Sequence, residues 1–161
     1  MLGKFDLHNP GNIKQSSDLF IGEIKPSSHA VFKEFASNVF GYRAMFKILE
    51  TYRKQGFTTI ASVITRYAPP SSNDTASYIN DVSAKTGIDA GALLSYDKQT
   101  LTKLVAAMTF HENGVPGDAA EISRGYDLYA GINEVKKGIP MGIVAALLLT
   151  LIIVQKTKQS L

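Results

Sequence analysis

Through the middle of the chain, apolar residues recur at the three-and-four spacing of α-helices. Val39, Tyr42, Met45, Phe46, Leu49 and Tyr52 share one face of a segment that Ser37 or Asn38 can cap and Gly56 ends. Thr58 or Thr59 opens a second helix, with Ile60, Val63, Ile64 and Tyr67 inward and Ala-Pro-Pro at 68–70 as its stop. Asn73 or Asp74 caps a third that runs to Gly87 and groups Tyr78, Ile79 and Val82. A short fourth piece is expected near Ala90–Leu94. A fifth helix, from about Asp97 to His111, carries the stripe Leu101, Leu104, Val105, Met108, and a sixth covers about Asp118 to Tyr129. Residues 1–36 are broken by Asn-Pro-Gly, Ser-Ser and Pro-Ser-Ser, leaving short extended pieces near Leu19–Ile24 and Ala30–Phe35. The expectation is a mostly α head over residues 1–135, with a small extended N-terminal lobe.

The pattern changes at the C-terminal end. Gly138 to Val154 is seventeen residues without a charge, bracketed by Lys136 and Lys137 on one side and Lys156 and Lys158 on the other. As a helix it would be about 25 Å long. That is slightly short of a hydrocarbon core of roughly 30 Å, and the flanking lysines can snorkel to the headgroups. Being apolar on every face, the segment reads as a single-pass anchor, residues 136–161, rather than a buried core helix. Gly138, Gly142 and Ala146 repeat at four-residue spacing, which would let the anchor pack closely on a second copy or another membrane protein. The opening MLGKFDLHNPGNIKQ lacks the apolar run of a secretory signal, so insertion after synthesis is expected.

Charge adds to this picture. All fourteen acids lie at or before Glu134, and the four lysines around the apolar segment exceed the net charge of +3. The basic balance belongs to the anchor, and no nucleic-acid partner is expected. With no cysteine there is no disulfide and no thiolate metal site. His8, His29 and His111 lack metal-ligand spacing, so neither metal nor cofactor is expected.

Continuing the fifth helix's stripe by four positions reaches Glu112, followed at once by Asn113-Gly114. A carboxylate on the inward side of a helix's C-terminal end is opposed as an anion by desolvation and by the negative end of the helix dipole. An acid kept protonated is what cleavage of a glycosidic bond requires. The plainer alternative is an ordinary helix-end glutamate facing solvent. Glu23, after Gly22, is either a solvated turn residue or a second carboxylate. His111 adjoins Glu112 but points about 100° away on a helix, towards the surface.

The segment Ala106-Ala-Met-Thr-Phe-His-Glu112-Asn-Gly114 resembles the catalytic helix of lysozyme-like lytic transglycosylases. Thr75-Ala-Ser-Tyr78-Ile-Asn-Asp-Val82 is similar to a second motif of that superfamily, whose tyrosine packs near the acid. Ile64-Thr-Arg-Tyr67-Ala-Pro-Pro stands where those enzymes carry a substrate-groove motif. Asn9-Pro-Gly-Asn12-Ile13, with Gly22, Phe32 and Phe35, resembles the small lobe of related glucosaminidases. In those enzymes the glutamate helix comes first; here it follows the other motifs, as in a circular permutation. The resemblance implies an α+β lysozyme-like head with Glu112 and Tyr78 catalytic, and Asn9, Asn12 and Tyr67 lining a groove for peptidoglycan glycan strands; Glu23 stays the alternative catalytic acid on its position alone.

A second resemblance spans nearly the whole head. Asn9–Ile13, Gly41–Met45, Thr59-Ile60, Tyr67–Pro70, Asn73–Thr75 and Ser77–Ile79 are similar to a group of bacteriophage and prophage virion structural proteins, which commonly have tryptophan at the position of Tyr67. With the anchor, it implies a protein of the internal membrane of a lipid-containing phage. The expected partners are that membrane and capsid or vertex proteins. Two functions are open: a virion lytic transglycosylase used at entry, or a non-enzymatic tether of capsid or vertex to membrane.

Overall fold

The computed structural model describes residues 4–71 and 73–136. The anchor segment, with Gly138, Gly142 and Ala146, lies outside the described residues. Among those described, no helix is long and apolar enough to cross a membrane. The chain divides into two compact units, residues 1–126 and 127–161. The N-terminal lobe and the buried core both belong to the first.

Five α-helices are seen among the described residues: α1 Asn38–Lys54, α2 Ile60–Tyr67, α3 Thr75–Thr86, α4 Lys98–Asn113 and α5 Ala119–Lys136. Their ends reflect local chemistry. Thr59 and Ser62 form a reciprocal capping box on α2. Asp74 accepts from the Ser77 N–H on α3, and Asp97 from the Thr100 N–H on α4. Gly87 and Gly114 close α3 and α4 in the left-handed conformation that lets a helix terminate tightly. Ser37 precedes α1 in an extended conformation but makes no side-chain cap.

α1 is the central helix. Val39 through Phe46 are buried without a break, and Leu49 continues the buried face. Ile60, Val63 and Ile64 of α2, Tyr78 and Val82 of α3, and Leu101, Leu104, Val105 and Met108 of α4 complete the core. α5 comes close to α1 because residue 125 is glycine; a Cβ there would stand 2.7 Å from that of Tyr42. Tyr126 then meets Phe46 edge-on at 5.3 Å.

Two expectations need correction. The piece near Ala90–Leu94 is a turn, not a helix. Ala90 accepts from the Ala61 N–H, Leu94 donates to the Thr58 carbonyl, and Leu93 pairs with Thr59 as a lone β-bridge. The N-terminal pieces are also shorter than expected: β1 Glu23–Ile24 pairs antiparallel with β2 Glu34–Phe35, with Glu23 opposite Phe35.

Two residues per strand cannot hold a hairpin on their own. Lys33, wholly buried, supplies the missing support. Its Nζ donates to the carbonyls of Asp18 at 2.8 Å and Ser16 at 3.3 Å, and to Glu23 Oε1 at 2.9 Å. The ammonium also lies 5.5 Å from the centre of the Phe20 ring.

Candidate active site

The candidate site forms where the Asn9–Ile13 loop meets the C-terminal end of α4. Asn9, fully buried, shapes the loop. Its Nδ2 donates to the carbonyls of Ile13 (2.9 Å) and Lys33 (2.8 Å), while its Oδ1 accepts from the Ile13 N–H at 2.9 Å. The Asn12 N–H closes the turn on the Asn9 carbonyl at 3.0 Å. Asn12 itself is held at a φ of 49°, a left-handed conformation that asparagine tolerates better than most side chains.

Three contacts latch this loop onto the helices. Asn113 Nδ2 donates to the Pro10 carbonyl at 2.8 Å. The Tyr67 hydroxyl, from the end of α2, donates to the Gly11 carbonyl. Asn12 Nδ2 donates to Glu112 twice, to the backbone carbonyl at 3.1 Å and to carboxylate Oε2 at 2.5 Å. Residue 11 must be glycine for this fit, since a Cβ would stand 2.6 Å from the Tyr67 hydroxyl and 2.9 Å from Met45.

Glu112 is half-buried, and the phenols of half-buried Tyr67 and buried Tyr78 share its surroundings. Burial first, and then the Glu112 charge, push the Tyr67 hydroxyl well above the usual phenol range. Tyr78 is raised in the same way, by burial first and then by the charges of Glu112 and Tyr67. Both are therefore neutral at ordinary pH and unable to act as bases, and the Tyr67 hydrogen is already given to the Gly11 carbonyl. The Tyr78 hydroxyl also reaches the Met108 carbonyl at 3.5 Å.

The structure thus brings Glu112, Asn12, Tyr67 and Tyr78 together. Asn9 sits behind the loop with no exposed surface, so it shapes the loop and presents nothing to a ligand. Glu23 lies in the small lobe with its oxygens engaged. Burial acts to raise its carboxyl, but hydrogen bonds from Lys33 and the Phe20 N–H, with the charges of Lys33 and Lys25, hold it below the usual carboxylate range. Its partners are those of an ion-paired structural acid. Among the described residues no cluster of three or more His, Asp or Glu could hold a metal ion.

His111 keeps surface exposure on one side, and its ring also stacks on Tyr78, with centroids 3.8 Å apart and planes at 18°. Its Nδ1 stands 2.7 Å from Asp81 Oδ2. The quoted motifs contain His111, Asp81 and Asn113 but give none of them a role. The i, i+3 placement of Tyr78 and Asp81 on α3 is the available signal, but it gives no hint of what crosses from α4.

No family model matches the chain. Protein P5 of Pseudoalteromonas phage PM2 is 39% identical to it over 125 residues, covering 74% of this chain and 77% of P5. The chain belongs to the P5 family of phage proteins. This membership supports the phage-virion side of the sequence resemblance.

Proposed function

We propose that this phage protein is a membrane-anchored virion enzyme that cleaves peptidoglycan glycan strands during entry, with Glu112 as its acid. The observation that carries this reading is the setting of Glu112: a half-buried carboxyl at a helix end, gripped by Asn12 from a left-handed backbone position and faced by the neutral phenol of Tyr78. Polar side chains converging on one half-buried carboxyl, one of them from a left-handed backbone position, are more typical of a working site than of a solvated helix end.

Glu112 would protonate the glycosidic oxygen as the bond to the sugar carbon breaks, and then act as base. Glu23, the other candidate carboxylate, is committed to Lys33 and Lys25. A single-acid mechanism fits that commitment. The substrate's acetamido group would stabilise the sugar carbon, and its own 6-hydroxyl would attack, losing its proton to Glu112. The product is a 1,6-anhydro sugar, with no water consumed. Gly138–Val154 would hold the head at the virion's internal membrane, beside capsid or vertex proteins.

A second reading has its own support. The contacts from Asn12, Asn113 and Tyr67 weld the Asn9–Ile13 loop to the helices, and a non-enzymatic capsid-to-membrane tether would need the same rigidity. Glu112→Gln separates the two. Full-length protein should clear purified peptidoglycan, and the variant should not while melting like wild type. Failure of the folded wild type to clear favours the tether.

A further inference from the structure

We propose that Asp81 and His111 form a positioning pair that holds the Tyr78 phenol against Glu112. The inference rests on the glycan-cleavage reading but concerns residues outside its chemistry. Tyr78 and Asp81 stand one turn apart on α3, and Met108, His111 and Glu112 occupy the last turns of α4. Asp81 Oδ2 and His111 Nδ1 are 2.7 Å apart, which fixes the imidazole's direction. The imidazole lies flat on Tyr78, ring centres 3.8 Å apart. Tyr78 is 2% exposed, and its hydroxyl reaches the Met108 carbonyl at 3.5 Å, one turn before Glu112 on α4.

A phenol ring can tilt and turn about its two side-chain torsions. Here the stacked imidazole closes one face of the ring. The imidazole is itself tethered, so the hydroxyl has one place to point. Asp81 is exposed and His111 three-quarters covered, so the pair forms the outer wall of an otherwise internal contact. A histidine chosen only for surface solubility would have no reason to lie flat on a buried tyrosine. The arrangement fits a support that keeps a donor aimed at an acid, the kind of constraint on which sub-ångström positioning depends.

The test uses full-length protein, a soluble glycan-strand substrate, and the variants His111→Ala, His111→Phe, Asp81→Asn and Glu112→Gln. His111→Ala is expected to lower kcat by roughly tenfold to a hundredfold with KM little changed, as for lost alignment in the transition state. His111→Phe keeps a flat ring on Tyr78 but loses the tether to Asp81, so it should recover part of kcat. Asp81→Asn keeps the stacked imidazole and weakens its tether, so its loss should be smaller than that of His111→Ala. Independently of turnover, NMR of tyrosine ring carbons should show the Tyr78 signal displaced in His111→Ala and restored in His111→Phe.

An unchanged kcat, or an unmoved Tyr78 signal, in His111→Ala overturns the positioning role. So does a loss that His111→Phe fails to recover. Full activity in Glu112→Gln overturns the acid assignment instead, and the Tyr78 signal still decides whether the pair holds the ring.

Discussion

Glu23→Gln is the sharpest test of how the small lobe is held. The substitution removes a carboxylate whose side chain is 3% exposed and leaves Lys33, at 0% exposure, without its counter-charge. Breaking a buried ion pair from one side typically costs about 3–5 kcal/mol. Two features reduce that here. The ammonium keeps the Asp18 and Ser16 carbonyls, and the glutamine oxygen can still accept. A loss of about 2–3 kcal/mol is expected. For a unit of this size, at about 4 °C per kcal/mol, that is a fall in Tm of roughly 8–12 °C by circular dichroism. Glu23→Gln with Lys33→Met, which removes both charges, should recover much of it. The pH dependence comes from the lowered Glu23 carboxyl: its contribution is complete above the unfolded value and is lost as pH falls through the lower folded value. The drop in Tm from neutral pH into the acid range should therefore be smaller in Glu23→Gln than in wild type. A variant melting within about 2 °C of wild type would refute the structural role. Lost cleavage with an unchanged melt would make Glu23 a reacting group after all.

Gly11→Ala drives a methyl into the Tyr67 hydroxyl and Met45 and should cost about 1–3 kcal/mol in urea unfolding, with partial relief when Tyr67→Phe is added. Asn12→Gly keeps the left-handed backbone while releasing Glu112, so cleavage should fall with little change in Tm. Asn12→Ala, strained at the same φ, should lose both. Full-length protein should float with liposomes and remain with them in high salt, whereas a chain lacking 138–154 should not; equal flotation of the two would rule out that segment as the anchor.

Sequence reveals what neighbouring residues decide among themselves. The caps Thr59 and Asp74 and the stop Gly87 act within one turn, and each appears where expected; α4, capped by Asp97, runs two residues past the expected His111 before Gly114 closes it. The piece at 90–94 departs from expectation because its backbone bonds go to residues 58–61, a pairing that leaves no local period. Lys33 has the look of a solvent position and is buried by a carboxylate and two carbonyls drawn from three different positions. The candidate site is half visible in sequence. Glu112 comes from helical periodicity, and Tyr78, Asn12 and Tyr67 from resemblance. Their meeting depends on contacts such as Asn12 to Glu112, one hundred residues apart, and Asn113 to Pro10, across 103. The roles of Asn9 and Glu23 change on folding because their polar atoms are used up inside the lobe.

The most direct measurement is mass analysis of the products from purified peptidoglycan treated with full-length protein and with Glu112→Gln, both checked for equal melting temperature. If Glu112 is the acid of a glycan-cleaving enzyme, wild type yields 1,6-anhydro-muropeptides and Glu112→Gln yields none. Intact glycan strands after treatment with folded wild type, or the same anhydro products from both proteins, would contradict that assignment.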